Sequence, residues 1–324
     1  MNQLITLRCG LRSELSGLAL LRESMKLSAR AMLHRRQTGR WLELLNSHPL
    51  FRQMLPACPR LVNKIYRSYF STRLGCDDRL AVLQAHYQTV IQRGLAPLVA
   101  RAAEGPVELC RLDGKTGQEY RIELRAGGVL CREGELILQL AHGDQVLYSI
   151  AFSFLHHFGA VAVGVGCLQG KHGGGGLDQV RDATRELHGM RPKNLLVRLV
   201  RQFGHDHGCA QMILVGNANR VVTTSMKQGK VHADYDALWL ELDAARQPDG
   251  DFSLACEHLP EPDMAQIASK KRSEARKRHE MLANAIAAMR AQVVRSQRAA
   301  TPLRLVSIRA TAPSGVSAPL LQLG

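Results

Sequence analysis

VLYSIAFSF (146–154), AVAVGVGCL (160–168), KNLLVRLVRQFGHDH (193–207) and MILVG (212–216) decide the fold, and the rest of the chain reads outward from them. The first two runs are rich in β-branched, aromatic and small residues, the composition of neighbouring strands buried in a central sheet. The third predicts an amphipathic helix. Pro192 suits a first helical turn, where its missing N–H has no partner to lose, and Leu195, Leu196, Leu199, Val200 and Phe203 form one apolar stripe. The fourth predicts a short strand, so the order is strand, strand, helix, strand.

Toward the N-terminus, 107–112, 120–124 and 136–140 are short apolar runs separated by Asp113-Gly114, Gly127-Gly128 and Gly143-Asp144, which predict turns and hence an antiparallel meander feeding 146–154. Residues 1–101 predict helices, short around Pro49, Pro56 and Pro59. Tyr66, Tyr69 and Phe70, next to Lys64 and Arg67, either pack that layer onto the sheet or stack on bases. Beyond 216 the pattern predicts a helix over 236–242, a last strand over 252–256, a basic helix over 261–298 and a tail of low order. The fold class expected is α+β, a mixed, mainly antiparallel sheet flanked by helices. The divisions are 1–101 (helical), 102–262 (sheet core), 263–298 (basic helix) and 299–324 (tail).

The chain's 324 residues are 45% hydrophobic, enough for a sizeable core, and its formal charge of +15 implies an anionic partner. Nucleic acid, an anionic membrane face and phosphate-bearing ligands all satisfy that charge, although no recognised DNA-binding motif accompanies it. Arg8 and Arg12 interrupt the first apolar run, and no window reaches the roughly 20 apolar residues of a membrane span, so a cytoplasmic or peripherally membrane-attached protein is expected. Eight cysteines, at 9, 58, 76, 110, 131, 167, 209 and 256, include no CxxC pair and predict reduced thiols.

Several constellations bear on chemistry. Gly164, Gly166 and Gly170 precede Lys171, but His172 stands where a P-loop needs Ser or Thr, and Gln169 where a dinucleotide fingerprint needs Gly. Residues 173–176 are four glycines that suit a flexible loop or lid. His188, Gly189, Arg191 and Lys193 precede or open the central helix, where amide N–H groups, the helix dipole and added cations favour phosphate; a capped helix with solvated cations is the plainer alternative. His205, His207 and Cys209 lack a second metal-ligating cluster, and His156-His157 suits an ordinary turn or a base. Asp234, Tyr235 and Asp236 combine carboxylates with a phenol able to give up a proton, or simply cap and anchor a helix carrying Trp239. Lys270, Lys271, Arg272, Arg276, Lys277 and Arg278 form a basic segment suited to anions or anionic lipid. It leads into an apolar stripe of Met281, Leu282, Ala285, Ile286 and Met289.

HPLFRQMLP (48–56), AHY (85–87), GCLQGK (166–171), ATRELHGMRPKNLL (183–196), YDALW (235–239) and SKKRSEARKRHEML (269–282) closely resemble, in order, the VirK/YbjX family of Gram-negative bacteria. That resemblance implies roles in virulence, envelope integrity and resistance to antimicrobial peptides, with one branch tied to the DNA damage response. The strand and helix order is also similar to GCN5-related acyltransferases. By that likeness Cys167, Leu168 and Gln169 line the pantetheine arm of an acyl-CoA and Gly189, Arg191 and Lys193 cradle its phosphates, while Tyr235, Asp236 or His188 handles the proton. Those enzymes join strand to helix by a short Gly-rich loop; here a longer segment with a predicted helix over 177–187 intervenes. The leading expectation is transfer of an acyl group to an amine of an envelope component or protein. An accessory protein binding anionic lipid or a partner is the second, and a nucleic-acid-associated protein the third.

Overall fold

The computed structural model describes residues 4–11, 16–128, 130–170, 176–222 and 233–299. Gly173, Gly174 and Gly175 of the expected loop, and nearly all of the expected tail, lie outside them.

The turn residues set the sheet. Strands β1 (Val107–Asp113), β2 (Glu119–Ala126), β3 (Leu136–His142), β4 (Gln145–His157) and β5 (Ala160–Gly170) pair antiparallel in sequence order. The chain then crosses through α6 (Gly176–Glu186) and α7 (Pro192–Asp206) and returns as β6 (Gln211–Leu214), parallel to β5. Helix α8 (Tyr235–Glu241), β7 (Ala245–Arg246) and β8 (Phe252–Ala255) complete the order β1-β2-β3-β4-β5-β6-β8-β7. The protein is therefore α+β with a mixed, mainly antiparallel sheet, as its turns and strand runs predict. The sequence did not announce β7, whose two residues are too few for a period.

Before the sheet come α1 (Gly17–Leu33), α2 (Arg35–Ser47), α3 (Pro49–Met54), α4 (Cys76–Gln92) and α5 (Ala96–Glu104). Trp41, Phe51, Tyr69 and Tyr87 from this layer share one apolar core with Phe152 and Phe154 of β4 and Leu199 of α7. Tyr69 and Phe70 are buried, the packing alternative for these aromatics. Helix α9 (Ser269–Ala299) starts later than the sequence predicts, past Pro260 and Pro262, and its stripe of Met281, Leu282, Ala285, Ile286 and Met289 joins the same core. The opposite face of β2–β5 is more polar, carrying Arg121, Glu123, Gln139 and Gln169 beside a small cluster of Leu130, Ile137, Ala151 and Cys167.

Two internal constraints stand out. First, Phe152 pairs with Val165 and Ala151 with Cys167, so Gly166 is the extra residue of a β-bulge. A Cβ there would sit 2.0 Å from the Glu133 carbonyl oxygen, so no side chain fits without moving backbone. Past the bulge β5 leaves β6, whose ladder covers only Val163–Val165, with one further bond from the Val215 amide to the Val165 carbonyl.

Second, a buried polar network ties the helical layer to β3 and β4. Glu135 is ion-paired with Lys64 and accepts from the Tyr87 hydroxyl at 2.6 Å. Its amide donates to Ser153 Oγ, which also meets the Tyr69 hydroxyl. Burial alone would push the Glu135 carboxyl up, but Lys64 and the neighbouring His86 bring it below the usual carboxylate range. His86 accepts from the Phe154 amide at Nδ1, and its Nε2 has no partner among the described residues.

Burial lowers the His86 pKa to about 4, while the unfolded residue titrates near 6.5. Between those values the unfolded chain binds the extra proton, so stability falls as pH falls through this window, by about 3 kcal/mol for this group. Urea unfolding at pH 7 and pH 4.5 measures most of the drop, and His86→Asn, which keeps an acceptor for Phe154, should reduce it by about 2 kcal/mol. Gly166→Ala should cost more than about 2 kcal/mol, because the clash is with backbone; a smaller loss in the same assay would show that the bulge can relax.

Candidate functional site

Where β5 leaves β6, the outward N–H and C=O of Leu168 have no strand to pair with among the described residues, and α8 supplies a substitute. The Leu168 amide donates to the Tyr235 hydroxyl at 2.7 Å, and that hydroxyl lies 2.9 Å from the Leu168 carbonyl and 3.4 Å from Cys167 Sγ. One turn on, the Trp239 indole N–H donates to the Val215 carbonyl on the β6 side. Tyr235 and Trp239 stand four apart on one helix face, their rings 5.4 Å apart, and occupy the opening between the strands. Asp234 caps α8 by accepting from the Ala237 amide, and Asn217, after β6, locks the helix in place.

Two residues not singled out from sequence complete this centre. The Arg220 guanidinium lies 3.7 Å from the Tyr235 ring centroid and donates to the Ala233 carbonyl. Glu133 is buried beside the Cys167 thiol; burial pushes its carboxyl up, partly offset by that thiol and by Arg220. Cys167 itself is pushed up to about 12 by burial and by Glu133, so its thiol stays protonated at neutral pH. Burial, then the neighbouring Cys167, raises Tyr235 well above an ordinary phenol, which leaves it a proton donor and not a base. The one sequence signal for Glu133 is Glu133-Gly134-Glu135, two carboxylates flanking a glycine.

The other expected site residues fall into separate groups. Arg191 is the N-cap residue of α7; it and Lys193 both reach Glu241 of α8, at 2.9 and 2.6 Å. Glu241 thus bridges α8 to the start of α7, and the Lys193 hydrogen bond holds its carboxyl below the usual range. Gly189 adopts a φ of +75° and abuts Arg278 and Glu274 of α9. His188 shares that surrounding: its carbonyl accepts from Arg278, and burial with nearby Lys115 and Lys277 lowers its pKa. Asp236 accepts from the Asn217 amide and pairs with Arg246. Gln169, one residue past Leu168, lines the polar sheet face. Of the basic segment, Arg278 is half-buried, whereas Lys270, Lys271, Arg272, Arg276 and Lys277 are exposed.

The structure therefore brings Tyr235 together with Cys167 and Leu168, and Arg191 together with Lys193. His188 and Gly189 stand with α9. His207 turns to the Phe203 carbonyl and Cys209 is buried, while His205 is exposed.

Replacing Tyr235 with Phe leaves two buried backbone groups of Leu168 without their shared hydroxyl. The expected loss is about 1–3 kcal/mol of stability, read by urea unfolding; an unchanged midpoint would mean that water serves those groups equally well.

Among solved structures, the chain is similar to a cAMP-binding acyltransferase from Mycobacterium smegmatis, at 13% identity and a TM-score of 0.28. The match covers 66% of this chain and 62% of that one, so under two-thirds of that protein is spanned. Among curated proteins, YbjX of Escherichia coli K12 is 27% identical over 262 residues, 79% of each chain. A protein of Haemophilus influenzae Rd is 22% identical over 264 residues, 81% of this chain and 87% of its own. Residues 17–291 match the family described as protein of unknown function (DUF535). The chain belongs to that family, as the ordered motifs from HPLFRQMLP to SKKRSEARKRHEML anticipate.

Proposed function

We propose that the chain transfers an acyl group from a coenzyme A thioester to an amine of an envelope component or protein, at the opening between β5 and β6. The observation that carries this reading is the pair of Leu168 backbone groups beyond the Gly166 bulge, bonded to a side-chain hydroxyl and not to a strand. An amide-bearing arm can replace that hydroxyl group for group. Arg191 and Lys193, with the first-turn amides of α7, suit the phosphates of the same ligand.

In this reading the amine nitrogen attacks the thioester carbonyl, forming the C–N bond. The C–S bond breaks, and the departing thiolate takes the proton of Tyr235, which burial keeps protonated at neutral pH. The proton leaving the amine goes to Glu133, whose carboxyl is made more basic by burial. Asp236 acts through Asn217 to hold the start of α8, and His188 stands at the phosphate end with Gly189. Both proton carriers recover by exchange with solvent.

Thermal unfolding with acetyl-CoA, a long-chain acyl-CoA and free CoA tests the reading. A ligand at a hundred times its Kd adds about 2.7 kcal/mol, enough to raise the Tm measurably. Arg191→Ala with Lys193→Ala should abolish the shift. Glu241→Gln, which removes the carboxylate competing for those cations, should tighten binding by about twofold to fivefold. No shift with any of the three ligands, in the wild type or in Glu241→Gln, would refute the assignment.

A further inference from the structure

The outer face of α1 is apolar and uncovered. Leu18, Leu21, Met25 and Met32 follow one another at helical spacing, and their relative exposures are 85%, 56%, 64% and 79%; Leu33 at the helix end is also 79% exposed. Only Leu27 and Ala31, on the other side, are buried. Exposed leucines scattered singly need no explanation, but a continuous stripe along a 17-residue helix does.

Arg22 and Lys26 border the stripe, and the charge of the segment around them identifies what covers it. Between residues 17 and 36 the chain carries Arg22, Lys26, Arg30, Arg35 and Arg36 against a single carboxylate, Glu23. All five cations are exposed, and the ion pair among them within the described residues, Lys26 with Glu23 at 3.5 Å, is itself exposed and weak. A second copy of this chain would bring five like charges against five. A helix with an apolar stripe, cationic flanks and low overall hydrophobicity matches the interface of an anionic bilayer, where the stripe enters the acyl boundary and the cations meet phosphate headgroups.

Helix α9, the basic helix that sequence favoured for this role, lacks the apolar half of the requirement. Met281, Leu282, Ala285, Ile286 and Met289 are all buried in the core. Its exposed cations can attract a charged surface but have no free stripe to insert.

We infer that α1 is an interfacial anchor that seats the protein on anionic lipid bilayers, with Leu18, Leu21, Met25 and Met32 inserted and Arg22 and Lys26 at the headgroups. The inference is independent of the acyl-transfer reading. The full chain is sedimented with vesicles of equal parts phosphatidylglycerol and phosphatidylcholine, and with phosphatidylcholine alone. Binding to the first and weak binding to the second are expected. Leu21→Asp with Met25→Asp should weaken binding by about tenfold or more, because both buried contacts are replaced by charges repelled from the surface. Those positions are exposed, so the Tm should not move. Lys270→Glu with Lys271→Glu and Lys277→Glu on α9 should weaken it far less. In a Met25→Trp variant, emission should shift to the blue on adding the anionic vesicles. The assignment is overturned if the α9 changes abolish binding and the α1 changes do not. It is equally overturned if the α1 changes convert a dimer to a monomer by light scattering while the wild type ignores both vesicles.

Discussion

The approach of the Glu133 carbonyl to Gly166 governs the centre of this molecule. The backbone of β5 takes an extra residue there, which has to be glycine because a β-carbon cannot occupy that space, and a bulge bends a strand as well as interrupting its pairing. The bend turns Leu168 away from β6 and leaves its outward backbone donor and acceptor without a strand partner in the middle of the sheet. Buried backbone groups do not stay unpaired, so something from elsewhere in the chain has to reach them. Helix α8 does so with Tyr235, and the same helix satisfies the Val215 carbonyl with Trp239. The YDALW motif is thus the complement of a strand separation made some 70 residues earlier in the chain.

The groups around that separation differ in what holds them. Tyr235, Cys167, Glu133 and Arg220 are buried and mutually engaged, so their geometry is set by packing. Arg191, Lys193 and Glu241 meet at the surface, with only Lys193 partly covered, where ion pairs are worth little and exchange readily. A ligand entering this region would encounter a firm floor and a yielding rim. Two α8 side chains reach these two regimes, Tyr235 at the helix start and Glu241 at its end.

Much of the architecture was legible because local signals were consistent. Asp113-Gly114, Gly127-Gly128 and Gly143-Asp144 punctuate the meander, and each falls at the end of one observed strand and before the next. The apolar stripe of α9 was readable from its period, and all five of its residues are buried. What stayed hidden depends on contacts between distant residues. Gly164, Gly166 and Gly170 look equivalent in AVAVGVGCLQG. Gly164 yields room to Phe70 and Gly170 to Tyr148, whereas only Gly166 is the extra residue of a bulge. Glu133 and Arg220 have no motif of their own; they join Tyr235 and Cys167 through the fold. The internal partner of Arg191 and Lys193 was equally invisible, since nothing in LWLE marks Glu241 as reaching back across to α7. Exposure of α1 was likewise beyond sequence, because a leucine stripe reads the same whether a core or a bilayer covers it.

Helix α9 is the last described element of the chain, yet it packs on β1, the first strand of the sheet, and on α5. Arg290 grips Asp206 at the end of α7 with two hydrogen bonds, and Gln297 reaches back to the Arg93 carbonyl. During synthesis, therefore, every earlier element leaves the ribosome before its covering stripe exists. The core has an apolar flank open until Met281 to Met289 have emerged, an interval in which no native contact covers that flank.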